Sequence, residues 1–346
     1  MEHKTRIKGN VHYVGVNDRN KHRFEGMWPL PYGVSYNSYL IDDEMVALVD
    51  TVDICYFEVY LRKIKQVIGE RPINYLIINH MEPDHSGSIR LIKQHYPEII
   101  IVGNKQTFGM IEGFYGVTGE QYLVKEGDFL ALGHHKLRFY MTPMVHWPET
   151  MMTFDETDGV LFSGDGFGCF GTVDGGFLDT RINVDKYWGE MVRYYSNIVG
   201  KYGSPVQKAL QKLGGLPISA ICSTHGPVWT ENIAKVIGIY DRLSRYDADE
   251  GVVIAYGSMY GNTEQMAEAI AEELSAQGVK NIVMHNVTKS HPSYIIADIF
   301  RYKGLIIGSP TYSNQIFPEV EALLSKILLR EVKGRYLGYF GSFRSE

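Results

Sequence analysis

Four residues within six positions carry the most concentrated chemistry of this chain. The stretch Asn79-His-Met-Glu-Pro-Asp-His-Ser-Gly87 holds His80, Glu82, Asp84 and His85. Imidazole nitrogens and carboxylate oxygens are ligands of hard and borderline divalent metals. Four such groups this close repel one another or go unsatisfied unless a cation or water serves them. A solvated polar loop is the plain alternative, and three later positions argue against it. His146 stands in Pro143-Met-Val-His-Trp-Pro148, Asp165 in Phe162-Ser-Gly-Asp-Gly166 and His225 in Cys222-Ser-Thr-His-Gly226. Each follows a run of strand character and is flanked by Gly or Pro. The recurrence of that context favours one convergent metal site over four unrelated loops. A second chemistry lies in Ser258-Met-Tyr-Gly-Asn-Thr263, which joins an apolar strand to a helix. Hydroxyls, a glycine and the free amides of a helix N-terminus together cradle a phosphate. The stretch is neither a Walker loop nor a GxGxxG fingerprint.

The elements that must position these groups are legible as short apolar runs broken by Gly, Pro and Asn. Strands are expected at Met45–Val49, Asn74–Ile78, Ile99–Val102, Leu137–Tyr140, Gly159–Phe162 and Ile218–Cys222. Helices are expected at 57–68, 88–95, 186–199 and 205–213. Asp247-Ala-Asp-Glu-Gly251 reads as a short acidic linker. Beyond it strands and helices alternate strictly: 251–256, 263–276, 281–286, 293–300, 303–308, 318–329 and 335–340. Strands separated by helices of this length form a parallel, doubly wound sheet. The domains expected are therefore 1–249 and 250–346. Gly308-Ser-Pro-Thr-Tyr-Ser-Asn314 and Gly341-Ser-Phe343 end the third and fourth strands of the second domain, on the edge where such sheets bind ligands.

The pattern H-x-E-x-D-H, followed by His146, Asp165 and His225, resembles the metallo-β-lactamase-like domain of flavodiiron proteins, the A-type flavoproteins. The segment after residue 249 resembles a flavodoxin, so the resemblance spans the whole chain. It implies an α/β fold: a metallo-β-lactamase-like αββα sandwich, then a flavodoxin-like doubly wound parallel sheet that is incomplete. Relatives continue past this point with another loop, helix, strand and helix, so a C-terminally truncated flavodoxin-like part is expected. The resemblance implies two iron ions, with His80, Glu82 and His146 on one, Asp84, His85 and His225 on the other, and Asp165 bridging. Hydrolases of the wider superfamily carry His where Glu82 stands and bind zinc. A third carboxylate is harder and more anionic, which suits iron and its ferric state. Two ferrous ions bring four positive charges against three carboxylates, and one bridging hydroxide would complete neutrality. The resemblance further implies FMN, held by Ser258, Met259, Tyr260, Gly261, Asn262 and Thr263. Ser309, Pro310, Thr311, Tyr312, Ser313 and Asn314, with Gly341, Ser342 and Phe343, would line it.

The activity so implied is transfer of electrons through FMN to the diiron site, which reduces oxygen to water, nitric oxide to nitrous oxide, or both. The alternatives are a binuclear metallohydrolase, against which Glu82 argues, and a flavin electron carrier without an active diiron site. A rubredoxin-like protein or a reduced deazaflavin is the expected external donor, and a head-to-tail homodimer or dimer of dimers the expected assembly. Glu25 lies where many relatives carry a histidine facing the metals. Tyr194 and Tyr195 could approach the irons or simply pack in a core. His95, His134 and His135 read as surface residues.

Composition limits the rest. The chain has 346 residues, 45% of them apolar and 21% charged, which fits a folded protein with a sizeable core. Its net charge is −6, with no basic run, so a nucleic-acid footprint is not expected. There is no signal-peptide pattern and no apolar run long enough to span a membrane, so a cytoplasmic protein is expected. Cys55, Cys169 and Cys222 form no CxxC pair, so neither a disulfide framework nor a zinc or rubredoxin-type iron site is expected from them.

Overall fold

Strands of three to six residues dominate the first two-thirds of the chain, because its apolar runs are short and each is stopped by Gly, Pro or Asn. The computed structural model describes residues 5–342, so Phe343 lies outside the described residues. The chain divides into two units, one taking in residues up to Gly26, Leu30–Met191 and Pro205–Gly238, the other Met27–Pro29, Val192–Ser204 and Ile239 onward.

The first unit holds two sheets. One has seven strands in the order Arg6–Lys8, Val11–Tyr13, Tyr39–Ile41, Ala47–Val49, Tyr75–Ile77, Ile100–Gly103, Gln121–Leu123. Its first four strands run antiparallel to their neighbours, and from Ala47–Val49 onward the pairing is parallel. The other sheet has five strands: Phe129–Ala131, Lys136–Met141, Met151–Asp155, Val160–Gly164 and Ala220–Ser223, with only the last pair parallel. Side chains from both sheets share one core, among them Val49, Ile77 and Val102 from the first and Phe139, Phe162 and Cys222 from the second. The helix Phe57–Ile68 buries Phe57, Tyr60, Leu61, Ile64 and Ile68, a stripe at three- and four-residue spacing, and stops at Gly69 with φ +63°. The helix Lys105–Tyr115 starts at Asn104, whose Oδ1 accepts from the amides of Gln106 and Thr107 at 3.0 and 3.1 Å.

The second unit is a parallel sheet in the order Ile282–Asn286, Asp249–Tyr256, Tyr302–Tyr312, Tyr336–Ser342. Alternate residues of its central strand serve opposite faces: Val253 and Ala255 pack with Ile295, Ile299 and Leu323, while Ile254 and Tyr256 pack with Ala267. Helices Asn262–Ala276, Pro292–Arg301 and Pro318–Leu328 connect the strands.

Three expectations need correction. The acidic segment 247–251 is not a linker, since Asp249 already pairs with Tyr302 as the start of a strand. The helix expected over 186–199 is α-helical only for Asp185–Tyr194 and continues as a π-helix, Tyr195–Val199. The 308–314 loop is largely strand: Tyr302–Tyr312 turns at Ser313 and Asn314, φ +50° and +61°, and pairs back through Gln315–Ile316. Two successive residues at positive φ make the tight hairpin turn whose twist matches the strands, and Asn tolerates that conformation. No helix among the described residues is long and apolar enough to cross a membrane.

Candidate metal centre and flavin loops

The expected ligands leave the carboxyl ends of the strands Tyr75–Ile77, Lys136–Met141, Val160–Gly164 and Ala220–Ser223. Backbone bonds tie these ends together. The amide of Met151 donates to the Asn79 carbonyl at 3.0 Å, that of Thr224 to Gly164 at 2.9 Å, and that of Thr51 to His85 at 2.8 Å. Behind them, the buried Asp50 carboxylate accepts both the amide and the side-chain nitrogen of Asn79, whose Oδ1 accepts from Thr153 at 2.8 Å. The loop that begins at His80 is thus fixed before its charged groups are placed.

All seven expected ligands meet, and all are buried. In one set, His146 Nε2 lies 3.3 Å from His80 Nε2, 3.1 Å from Glu82 Oε2 and 3.0 Å from Asp165 Oδ2. In the other, His225 Nε2 lies 3.2 Å from Asp84 Oδ2, and His85 Nε2 stands 3.3 Å from Asp165 Oδ1 and 3.6 Å from Asp84 Oδ1. The two oxygens of Asp165 therefore face different sets.

Metal–nitrogen and metal–oxygen bonds of about 2.0–2.2 Å put neighbouring donors on one cation about 3.0–3.5 Å apart. Most separations within the two sets fit that requirement, with His85–Asp84 at 3.6 Å and His80–Glu82 at 3.8 Å slightly wider. Both oxygens of Asp84 and both ring nitrogens of His85 are buried without a hydrogen-bond partner, a costly state for polar groups unless a cation serves them. These residues fit a pair of metal ions.

The electrostatics agree. Burial alone would lower each imidazole, but the facing carboxylates outweigh it. His80 and His225 are raised, His146 is raised well above its ordinary value, and His85 is pushed up to about 10. Burial would likewise raise the carboxyls, yet His146 and His80 hold Glu82 low, and His85 with His146 holds Asp165 well below the usual range. These opposite shifts show strong attraction between the facing imidazoles and carboxylates, the donor set a pair of cations would take over.

Residues that the spacing did not reveal orient the ligands. His80 Nδ1 donates to Glu149 Oε1 at 2.6 Å, and the amide of Met81 donates to the same oxygen at 2.9 Å. His225 Nδ1 donates to the Ser35 carbonyl at 2.8 Å. Since a carboxylate and a carbonyl can only accept, each ring carries its proton on Nδ1 and turns the Nε2 lone pair to the cluster. The Thr224 hydroxyl donates to Asp165 Oδ1. Burial would raise Glu149, but the bonds from His80 and Met81 hold it below its ordinary value.

A cavity of about 510 Å³ opens beside the cluster, lined by Glu82, Asp84, Glu25, Phe24, Phe114 and Tyr115 among others. Glu25 thus shares a cavity with two of the expected ligands. Tyr195 packs edge-on against Tyr240 at 5.0 Å and near Phe300, within the second unit's own packing, where Tyr194 is also buried. His135, expected at the surface, is instead buried, with Nδ1 2.9 Å from Asp155 Oδ2. Its carboxylate partner lies on the neighbouring strand, twenty residues away, beyond what local polarity reveals.

In the second unit, the loop Ser258–Gly261 leads into the helix Asn262–Ala276. Gly261 has φ +90°, no side chain caps the helix, and the Gly261 amide donates to Ser258 Oγ at 3.1 Å. The uncapped first turn leaves amides available to an anionic phosphate. Thr263 Oγ1 lies 3.1 Å from Ser342 Oγ, and the Gly257 amide donates to the Gly308 carbonyl, so the three loops meet at the carboxyl edge. Ser309 is partly buried and its Oγ accepts from the Phe317 amide at 3.1 Å. Pro310 is buried, Gly341 is exposed, and Met259, Asn262, Thr311, Tyr312, Ser313 and Asn314 are exposed, with Tyr260 at 91%. Such a shelf of hydroxyls, amides and open aromatic rings fits a phosphate-bearing planar cofactor.

Comparison with known proteins bears on both units. A family model described as ODP family beta lactamase matches residues 34–226, and one described as Flavodoxin matches 254–346. The chain is 32% identical over 343 residues to the anaerobic nitric oxide reductase flavorubredoxin of Vibrio vulnificus, covering 97% of this chain and 69% of that protein. The Escherichia coli flavorubredoxin is 31% identical over 342 residues, covering 97% and 71%. Among solved structures, the rubredoxin oxygen:oxidoreductase of Desulfovibrio gigas superposes with a TM-score of 0.91 at 31% identity, covering 96% of this chain and 84% of that one. The flavodiiron protein of Giardia intestinalis gives a TM-score of 0.92 at 28% identity, with coverages of 96% and 81%.

Proposed function

The chain belongs to the flavodiiron protein family, a family of oxidoreductases with FMN and a non-haem diiron site, and on that premise we propose that it reduces oxygen or nitric oxide with electrons taken from FMN. The observation that carries this reading is the two-sided Asp165, whose oxygens face His146 and His85 at 3.0 and 3.3 Å. His80, Glu82 and His146 would hold one iron and Asp84, His85 and His225 the other, with Asp165 offering one oxygen to each set. The irons supply a place to bind the gas and electrons to reduce it. Oxygen takes up four electrons and four protons to give two waters. Two nitric oxide molecules take up two electrons and two protons to give nitrous oxide and water.

The chain's own residues hold that chemistry in place. Glu149 and the Ser35 carbonyl fix the tautomers of His80 and His225, and the Thr224 hydroxyl fixes Asp165. Phe24, Phe114 and Tyr115 line the cavity above Glu82 and Asp84 and limit the water that reaches them. Ser258–Thr263 receive the FMN phosphate, while Ser309–Asn314 with Gly341 and Ser342 flank its ring. The diiron domain spans 1–249 and the flavin domain 250–346. We place the protein in the cytoplasm as a head-to-tail homodimer or dimer of dimers, supplied by a rubredoxin-like protein or reduced deazaflavin. Among the relatives, one is named for nitric oxide reduction and another for oxygen reduction, which supports either gas as substrate.

Anaerobically purified protein is expected to contain two irons per chain, and its reduced form to reoxidise within a stopped-flow trace on mixing with one gas or both. Zinc without iron would point to a hydrolase, and no metal to a flavin carrier. Either result overturns the reading.

A further inference from the structure

The outer partners of the two ligand sets are chemically unequal. His80 is backed by an ionised carboxylate at 2.6 Å, with both side chains fully buried. Glu149 is held rigidly, since Oε1 also accepts from the Met81 amide and its backbone carbonyl accepts from Asn104 Nδ2 at 2.6 Å. Its other oxygen, Oε2, is buried without a hydrogen-bond partner. Among the described residues no cation other than His80 is paired with this carboxylate, so its charge is directed through one imidazole. Among the described residues the second set has no hydrogen-bonded equivalent, since the buried Asp50 carboxylate acts on His85 only through space and bonds Asn79 instead. His225 leans on the neutral Ser35 carbonyl at 2.8 Å, and His85 Nδ1 is buried without a hydrogen-bond partner. A hydrogen bond to an anion draws an imidazole toward imidazolate and makes it a stronger donor than one bonded to an amide carbonyl.

We propose that Glu149 is a positioning residue that makes the two metal positions electronically unequal, so that the iron on the His80 side keeps its ferric state to lower potential than the iron on the His225 side. The inference rests on the diiron reading above. With two irons bound, each would take one electron from FMN, and the Glu149–His80 pair would make the His80 side the harder of the two to reduce.

The test is an anaerobic redox titration of the FMN-containing holoprotein, read by the electron paramagnetic resonance signal of the mixed-valence state. In E149Q the amide keeps the size of the side chain and removes its charge. Two irons per chain are expected to remain. The lower step should move up toward the higher one, and the comproportionation constant should fall about tenfold, the low end of what an outer partner contributes. E149D keeps the charge but draws it back, so its separation should narrow by less. If E149Q fails to fold, a folded E149D with the wild-type separation overturns the proposal by itself. Steps that stay put in E149Q, or that move in parallel, also overturn it and leave the diiron reading standing. Wild-type protein that carries zinc, or lacks two irons, overturns the diiron reading and the proposal together.

Discussion

The two cofactor regions are built from opposite materials. The metal centre is a set of ionisable side chains taken out of water, with His80, His85 and His225 at zero exposure and Asp165 at 1%. The flavin region is an open shelf of backbone amides, hydroxyls and exposed rings, where even the helix start is left without a side-chain cap. Buried charges demand specific partners, and removing one strands the rest. A shelf of neutral donors spreads its contribution over many weak contacts. Damage to the first region should therefore be all-or-none, and damage to the second graded.

The largest effect tests that contrast most directly. Asp165→Ala removes a carboxylate whose two oxygens face different ligand sets, so both irons should be lost and gas reduction should fall by more than the roughly 100-fold that loss of an outer partner costs. Flavin content should not change. Metal analysis beside the flavin absorbance checks this, and an Asp165→Ala protein that keeps both irons and reduces gas would break the contrast. A smaller, graded effect is expected on the other side. Ser258→Ala and Thr263→Ala should each weaken FMN about tenfold, the worth of one charge-assisted hydrogen bond, with the iron content unaltered. Fluorescence titration of the apoflavoprotein reads this, and complete loss of FMN from either variant would show that the shelf is as brittle as the metal centre.

The smallest effect concerns a buried histidine outside the seven expected ligands, His135, which pairs with Asp155. Burial would lower His135, but its bond to Asp155 raises it. A folded-state value above the unfolded value of about 6.5 gives stabilisation that is full below that pH and lost as pH rises through the folded value. The gap in denaturation midpoint between wild type and His135→Gln should accordingly shrink from pH 6 to pH 9. A gap that stays constant would show that the pair is not charged.

Most of this centre was legible in the residues, because each ligand lies in a segment that follows a strand and is marked by Gly or Pro. His80, Asp165 and His225 are adjacent in space through parallel strand ends, and a strand-then-loop pattern is a local signal. Glu149 carried no such signal. Its role depends on a contact with His80, 69 residues away, made possible by the Met151 amide bonding the Asn79 carbonyl between the two sheets. Ser35 was invisible for a related reason, since it acts through a backbone carbonyl that any residue would offer. In the second unit the strand–helix alternation exposed the fold, but not the hairpin at Ser313-Asn314, where apolar spacing says nothing about two consecutive positive φ angles. The acidic run before Gly251 misled for the opposite reason: its polarity resembles a linker, yet pairing with Tyr302 needs only its backbone.

The spread of the ligands along the chain has a mechanical consequence. His80, His146, Asp165 and His225 hold four strand ends that are distant in sequence but converge at one point, and a pair of shared ions would act as a cross-link closing three long loops at once. Closing such loops in the unfolded chain costs entropy that grows only slowly with their length, so the ions would fasten the whole first unit with little dependence on how far apart the ends lie. Losing them would free four ends together, and hydrogen exchange should then quicken at all four loops in concert while the strands that carry them stay protected.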